Sequence, residues 1–143
     1  MIVSAILSDK GRQVFTISPT ATLGNAVKTM AEKRVGALVV TGAGDRLTGI
    51  VSERDVVRML AAHGAAALDM PLNEAMTRKV ATCDEAETIS SLMERMTAGK
   101  FRHIPVVESG VLVGMISVGD VVKFRLHEME QEQSAMRDYI QSA

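Results

Sequence analysis

The sequence predicts an α+β fold assembled from two copies of one small unit, each reading strand, helix, strand, strand, helix. Three observations predict it. A short signature occurs twice, as Gly49-Ile50-Val51-Ser52-Glu53-Arg54-Asp55 and Gly114-Met115-Ile116-Ser117-Val118-Gly119-Asp120, each followed by Val-Val and a basic residue. The flanks repeat as well: Thr16 falls on Thr82, Thr22 on Thr88, Leu23 on Ile89, Met30 on Met96 and Val40 on Val106, all 66 positions apart. At the signature the offset drops to 65, a difference that a surface turn tolerates. Between the strands, apolar residues follow the helical i, i+3, i+4, i+7 spacing.

The elements follow in order. Residues 1–11 form a leader helix, with Val3, Ile6 and Leu7 apolar before Asp9-Lys10-Gly11. Val14 to Ile17 is a short β-rich run, and Ser18-Pro19-Thr20 turns the chain. Thr22 caps a helix with Leu23, Ala26, Val27 and Met30 on one face. Val35 to Val40 is a buried strand, Thr41 to Asp45 a turn, and Leu47 to Val51 the returning strand. A helix starts near Ser52 and stops at His63-Gly64. Pro71 to Met76 stands before the second copy as the leader stands before the first.

The second copy repeats that order. Thr88 caps its helix, Ile104 to Val107 and Val111 to Ile116 are its strand pair, and Glu108-Ser109-Gly110 is the turn between them. The final helix runs longer, with Val122, Leu126, Met129, Met136 and Ile140 spaced by three, four or seven. That row is too sparse for a strong coiled coil, and docking on its own domain or on a partner subunit are both open. The division by sequence is a first copy with leader at 1–66, a second copy at 67–126 and a helical extension at 127–143.

At 143 residues, each copy is too short to bury a large core alone, so the two are expected to share one. Apolar residues make up 47% of the chain, which argues for a packed protein rather than disorder. The net charge of −1 leaves no basic excess and excludes nucleic acid as a primary partner. Met1 to Leu7 is too short for a signal peptide or a membrane span, so no membrane partner is expected. Cys83 is the sole cysteine, which rules out a disulfide framework within the chain and makes a reducing, cytoplasmic compartment the default. It stands where the first copy has Ile17, as a small buried hydrophobe or, less simply, a reactive thiol. His63, His103 and His127 lack metal-ligand spacing, and neither a nucleophile–base pair nor a GxxxxGK[ST] loop is present. The expectation is no catalytic residue, no metal, no catalytic cofactor and no enzyme.

The repeated Ser-x-x-Asp carries the functional argument. Read structurally, it is a capping box that satisfies the first N–H groups of a helix and contributes about 1 kcal/mol. Read functionally, a helix start offers free N–H groups and partial positive charge to a phosphate. An Asp beside it can accept two ribose hydroxyls, and a Ser can donate to a sugar or phosphate oxygen. Arg54, Arg58 and Lys123 add cationic reach or are simply solvated. Gly49 and Gly114 either admit a ligand close to the backbone or mark bulges.

Together with Arg102-His103-Ile104-Pro105-Val106-Val107 and the openings at Val14 to Pro19 and Val80 to Cys83, the two signatures resemble tandem cystathionine β-synthase (CBS) domains, the Bateman module. The resemblance spans residues 2 to about 126 and identifies the chain as similar to a stand-alone pair. It implies two βαββα repeats packed through their sheets about a pseudo-twofold axis, with two clefts for adenosine-bearing ligands, and commonly a flat homodimer. One cleft would use Ser52, Asp55, Thr82, Arg102, His103 and Pro105. The other would use Ser117, Asp120, Thr16 and the Gly36-Ala37 region. Asp would hold ribose, strand backbone and apolar side chains would hold adenine, and Arg54, Arg102 and Lys123 would face phosphate.

The clefts differ chemically, because Arg102 and His103 replace Gly36 and Ala37, and Gly119 replaces Arg54. The Asp55 cleft is therefore expected to prefer AMP, ATP or NAD(H), with the Asp120 cleft binding more weakly, taking the less charged part of a larger ligand, or staying empty. His103 is as readily a structural histidine at the seam as a ligand contact. Two functional classes follow: a regulatory module that senses an adenine nucleotide and signals to a regulated protein, or a ligand-free dimerisation scaffold.

Overall fold

The computed structural model describes residues 1–142. In chain order the elements are α1 (Val3–Lys10), β1 (Thr16–Ile17), α2 (Leu23–Lys33), β2 (Ala37–Thr41), β3 (Leu47–Ser52), α3 (Glu53–His63), α4 (Leu72–Ala75), α5 (Ile89–Gly99), β4 (His103–Glu108), β5 (Val111–Ser117) and α6 (Val118–Ser142). Short 3-10 turns occupy Ala43–Asp45 and Gly64–Asp69.

The predicted caps start the helices. Thr22 Oγ1 accepts the Asn25 N–H at 3.1 Å to begin α2, and Thr88 Oγ1 accepts the Ser91 N–H at 3.1 Å to begin α5. Both helices end on a basic residue in the left-handed region, Arg34 at φ 56° and Lys100 at φ 54°. Val35 and Gly36 complete the exit from α2, which is why β2 begins at Ala37 rather than at Val35.

In the first sheet β1 pairs parallel with β2, and β2 pairs antiparallel with β3. In the second sheet β4 pairs antiparallel with β5, and the counterpart of β1 shrinks to one parallel bridge, Cys83 to Val106. That bridge matches Ile17 to Val40 of the first copy. The register slips at Val40/Thr41 and again at Val106/Val107, next to where the repeat offset changes.

The buried side chains form two clusters rather than the single shared core expected from chain length. In the first, Leu23, Ala26, Met30, Leu38, Val40, Val51 and Met59 pack with Ala67, Leu72, Ala75 and Met76. In the second, Cys83, Ile89, Leu92, Met96, Ile104, Val106, Ile116 and Val121 pack with Val3, Ile6 and Leu7. Each copy's core is thus closed by the segment that precedes the other copy. The Ile89 N–H donates to the Met1 carbonyl at 3.1 Å, just as the Leu23 N–H donates to the Met70 carbonyl at 2.9 Å. An isolated eight-residue helix such as α1 is marginal in water. Burial of its three aliphatic side chains, worth about 1.5–3 kcal/mol each, holds it in place.

This exchange explains the glycine of each signature. A Cβ on Gly49 would lie 2.6 Å from Met76 Sδ and 2.8 Å from the Thr77 carbonyl oxygen. A Cβ on Gly114 would lie 2.7 Å from Leu7 Cδ2. Both glycines admit the neighbouring linking segment, not a ligand.

Candidate functional site

β3 runs directly into α3, and Ser52 is the last strand residue and the helix N-cap. Asp55 Oδ2 accepts the Ser52 N–H at 2.9 Å and the Ser52 hydroxyl at 3.2 Å. Its Oδ1 accepts the Thr77 hydroxyl at 2.8 Å and Arg58 Nη2 at 2.9 Å. Only 5% of Asp55 is exposed, and these four donors satisfy the oxygens that burial strips of water. The capping-box reading is therefore met in full at this helix.

β5 runs into α6 in the same way. Asp120 Oδ2 accepts the Ser117 N–H at 2.9 Å and the Ser117 hydroxyl at 3.0 Å. Here the added partner is Lys10, whose Nζ lies 2.7 Å from Asp120 Oδ2 and donates to the Met115 carbonyl at 2.9 Å. Burial pushes the Asp120 carboxyl up, but the Lys10 and Ser117 hydrogen bonds together bring it below the usual carboxylate range.

A cleft of about 630 Å³ lies along the seam of the two copies. From the first copy and its linking segment it takes Gly36, Ile50, Ser52, Glu53, Arg54, Asp55 and Thr77. From the second it takes residues 99–103 and 117–119. The starts of α3 and α6 thus open on one space, with Arg54, Lys100 and Arg102 as its cations and Glu53 as a counter-charge beside Gly36 and His103. Arg54 Nη1 donates to the Lys100 carbonyl at 3.3 Å and ties the two copies across the cleft. Burial, with help from the Arg102 charge, holds His103 below its ordinary value of 6.5.

Of the residues expected in the Asp55 cleft, the structure brings together Ser52, Arg54, Asp55, Arg102 and His103. Thr82 lies elsewhere, in a depression with Cys83, Asp84, Glu87 and Arg95, where its carbonyl accepts Arg95 Nη2 at 2.7 Å. Pro105 is buried in β4, its carbonyl accepting the Cys83 N–H at 3.0 Å. Of the residues expected in the Asp120 cleft, Ser117 and Gly36 line this same space. Thr16 is exposed on β1 opposite Val39, Ala37 is buried opposite Ser52, and Lys123 is exposed 3.6 Å from Asp9. The Cys83 thiol is pushed up to about 12 by burial first and by Glu87 next, which fits the buried-hydrophobe reading.

Sequence reasoning missed Thr77, Lys10 and the bonded role of Arg58. The sequence did mark Pro71 to Met76 as the counterpart of the leader, but not that α1 runs on to Lys10 while α4 stops at Ala75. Among the described residues, no His, Cys, Asp or Glu side chains gather as a metal site, and no helix is long and apolar enough to cross a membrane.

This repeated architecture defines a two-copy binding scaffold with a seam cleft, and comparison with known proteins gives it a family. The sequence profile of the CBS domain matches twice, at residues 3–62 and 72–127. The chain belongs to the CBS-domain family and carries a tandem pair of its domains. It is 33% identical to the mitochondrial CBS domain-containing protein CBSX3 of Arabidopsis thaliana, over 97% of this chain and 71% of that protein. A CBS-domain-containing protein of Agrobacterium tumefaciens is 46% identical, with a TM-score of 0.84 over 87% of this chain and 99% of that one. A CBS domain protein of Pyrobaculum aerophilum, solved as a complex with AMP, is 29% identical, with a TM-score of 0.74 over 84% of this chain and 89% of that one.

Proposed function

We propose that this chain is a regulatory module that takes an adenosine-bearing nucleotide into the seam cleft and signals through the packing of its two copies. The observation that carries this reading is the cleft itself, walled by both copies, with two helix starts and three cations facing one space. The similarity to a CBS protein solved with AMP supports the same ligand class. AMP, ATP and NAD(H) share the adenosine and bear phosphate, and the cations at Arg54, Lys100 and Arg102 suit that phosphate.

In this reading adenine lies against Ile50, Phe101 and Val118. The ribose hydroxyls donate to Asp55 Oδ1 in exchange for Arg58, whose side chain is 57% exposed and free to swing out. The 5′ phosphate meets Arg54 and Arg102 near the start of α6. A ligand that touches both copies favours the arrangement that fits it, which is population shift. The chemistry is binding without turnover, so the protein is not an enzyme and uses no catalytic cofactor. A cytoplasmic homodimer acting on a separate regulated protein completes the proposal.

One observation favours the ligand-free alternative. Both signature acids are turned toward their own helix starts, and α6 exposes Val122, Leu126, Met129, Met136 and Ile140. Thermal unfolding with AMP, ATP and NAD separates the two readings. A nucleotide at 100 times its Kd adds about 2.7 kcal/mol of stability. A chain of this size would then melt several degrees higher. An unmoved transition with all three ligands would support the scaffold reading instead.

A further inference from the structure

The two copies differ most at the residue that meets the signature acid from outside. Their linking segments are equivalent: Ile2 bridges Thr88 as Pro71 bridges Thr22, and Leu7 meets Gly114 as Met76 meets Gly49. By that correspondence Lys10 matches Lys79. α4 stops at Ala75, and the extended residue Thr77 then closes on β3, its N–H donating to the Ile50 carbonyl at 2.9 Å. α1 continues instead to Lys10. The extra turn brings the ammonium onto the two equivalent acceptors, the Asp120 carboxylate and the Met115 carbonyl. One lysine therefore does at the second copy what Thr77 and Arg58 do at the first.

We propose that Lys10 is the internal occupant of the second copy's signature acid, and that it limits each chain to one adenosine-bearing nucleotide. This inference rests on the nucleotide-binding reading above. Three observations carry it. The walls of the seam cleft include Asp55 but stop at Gly119, one residue short of Asp120. Lys10 Nζ and both Ser117 donors converge on Asp120 Oδ2, and the Lys10 ammonium offsets the carboxylate charge that a ribose hydroxyl would otherwise meet in full. Lys10 is also less free to leave than Arg58. Its side chain is 33% exposed against 57%, and its helix is anchored by the fully buried Val3 and Ile6 and the nearly buried Leu7.

Counting bound AMP by native mass spectrometry and isothermal titration tests this. The chain as it exists is expected to take one AMP, and Lys10→Ala to take two. Alanine keeps the end of α1 helical, so the variant preserves the fold. The double variant Lys10→Ala/Asp120→Ala is expected to return to one. Two AMP on the unaltered chain, or one on Lys10→Ala, overturns the inference while leaving the seam-cleft reading intact. Weaker AMP binding by Lys10→Ala also overturns it, because Lys10 is then a ligand contact. If the unaltered chain binds none, the cleft reading fails and the inference, which rests on it, fails with it.

Discussion

The hydroxyl of Thr77 donates to Asp55 Oδ1 at 2.8 Å and fastens the segment between the copies to the start of α3. Thr77 also pairs with Ile50 through both backbone groups, at 2.9 Å each. The signature acid is thus a structural joint as well as a wall of the cleft.

Asp55→Ala is expected to destabilise the fold by about 1–3 kcal/mol, because it removes the cap and strands the Thr77 hydroxyl and the Arg58 guanidinium. Urea unfolding measures it. Thr77→Ala should lose less, since Ser52 and Arg58 remain on the carboxylate. Equal stability of the wild type and Asp55→Ala would contradict the network described above.

Arg102→Ala tests the phosphate wall without that complication, because Arg102 is exposed at the rim. AMP affinity should fall by about tenfold or more, corresponding to about 1.4 kcal/mol. Adenosine affinity should stay within about twofold. Equal losses for both ligands in calorimetric titration would place the phosphate elsewhere.

His103 gives the chain a defined pH response. Its folded value lies below the ordinary 6.5, chiefly through burial. Between 6.5 and that lower value the unfolded chain holds a proton that the folded chain lacks. Stability contributed by neutral His103 is therefore full above 6.5 and is lost as pH falls through the window. His103→Gln should flatten that slope in a pH series of urea midpoints. An unchanged slope would assign the response to other groups.

The glycines of the two signatures should tolerate substitution unequally. A Cβ at Gly49 meets the Thr77 carbonyl, which is backbone, whereas a Cβ at Gly114 meets only the Leu7 side-chain end. Gly49→Ala should lose about 1–3 kcal/mol, as overpacking of a filled site does, and Gly114→Ala clearly less. The reverse order in urea would refute the exchange of linking segments as the reason for these glycines.

What the sequence made legible is local or repeated. Thr22, Thr88, Ser52 and Ser117 announce helix starts because their partners lie three residues on. The doubled offset located both sheets, down to Cys83 standing for Ile17. What it hid is long-range. Nothing near Val3 or Leu72 says that each packs under the more distant copy, since hydrophobic periodicity carries no address. The pairing of Lys10 with Asp120 spans 110 positions and depends on α1 outlasting α4 by a turn. The family resemblance points Thr82 and Pro105 toward the cleft, whereas beside the Cys83–Val106 bridge their carbonyls accept from Arg95 and from the Cys83 N–H.

Backbone amide shifts of the full chain during an AMP titration test the central claim most directly. The account predicts saturable changes that cluster on both copies at once, at Ser52, Arg54, Thr77, Arg102, His103 and Val118. Changes confined to one copy, changes centred on the Thr82 depression, or a spectrum that AMP leaves unmoved would contradict it.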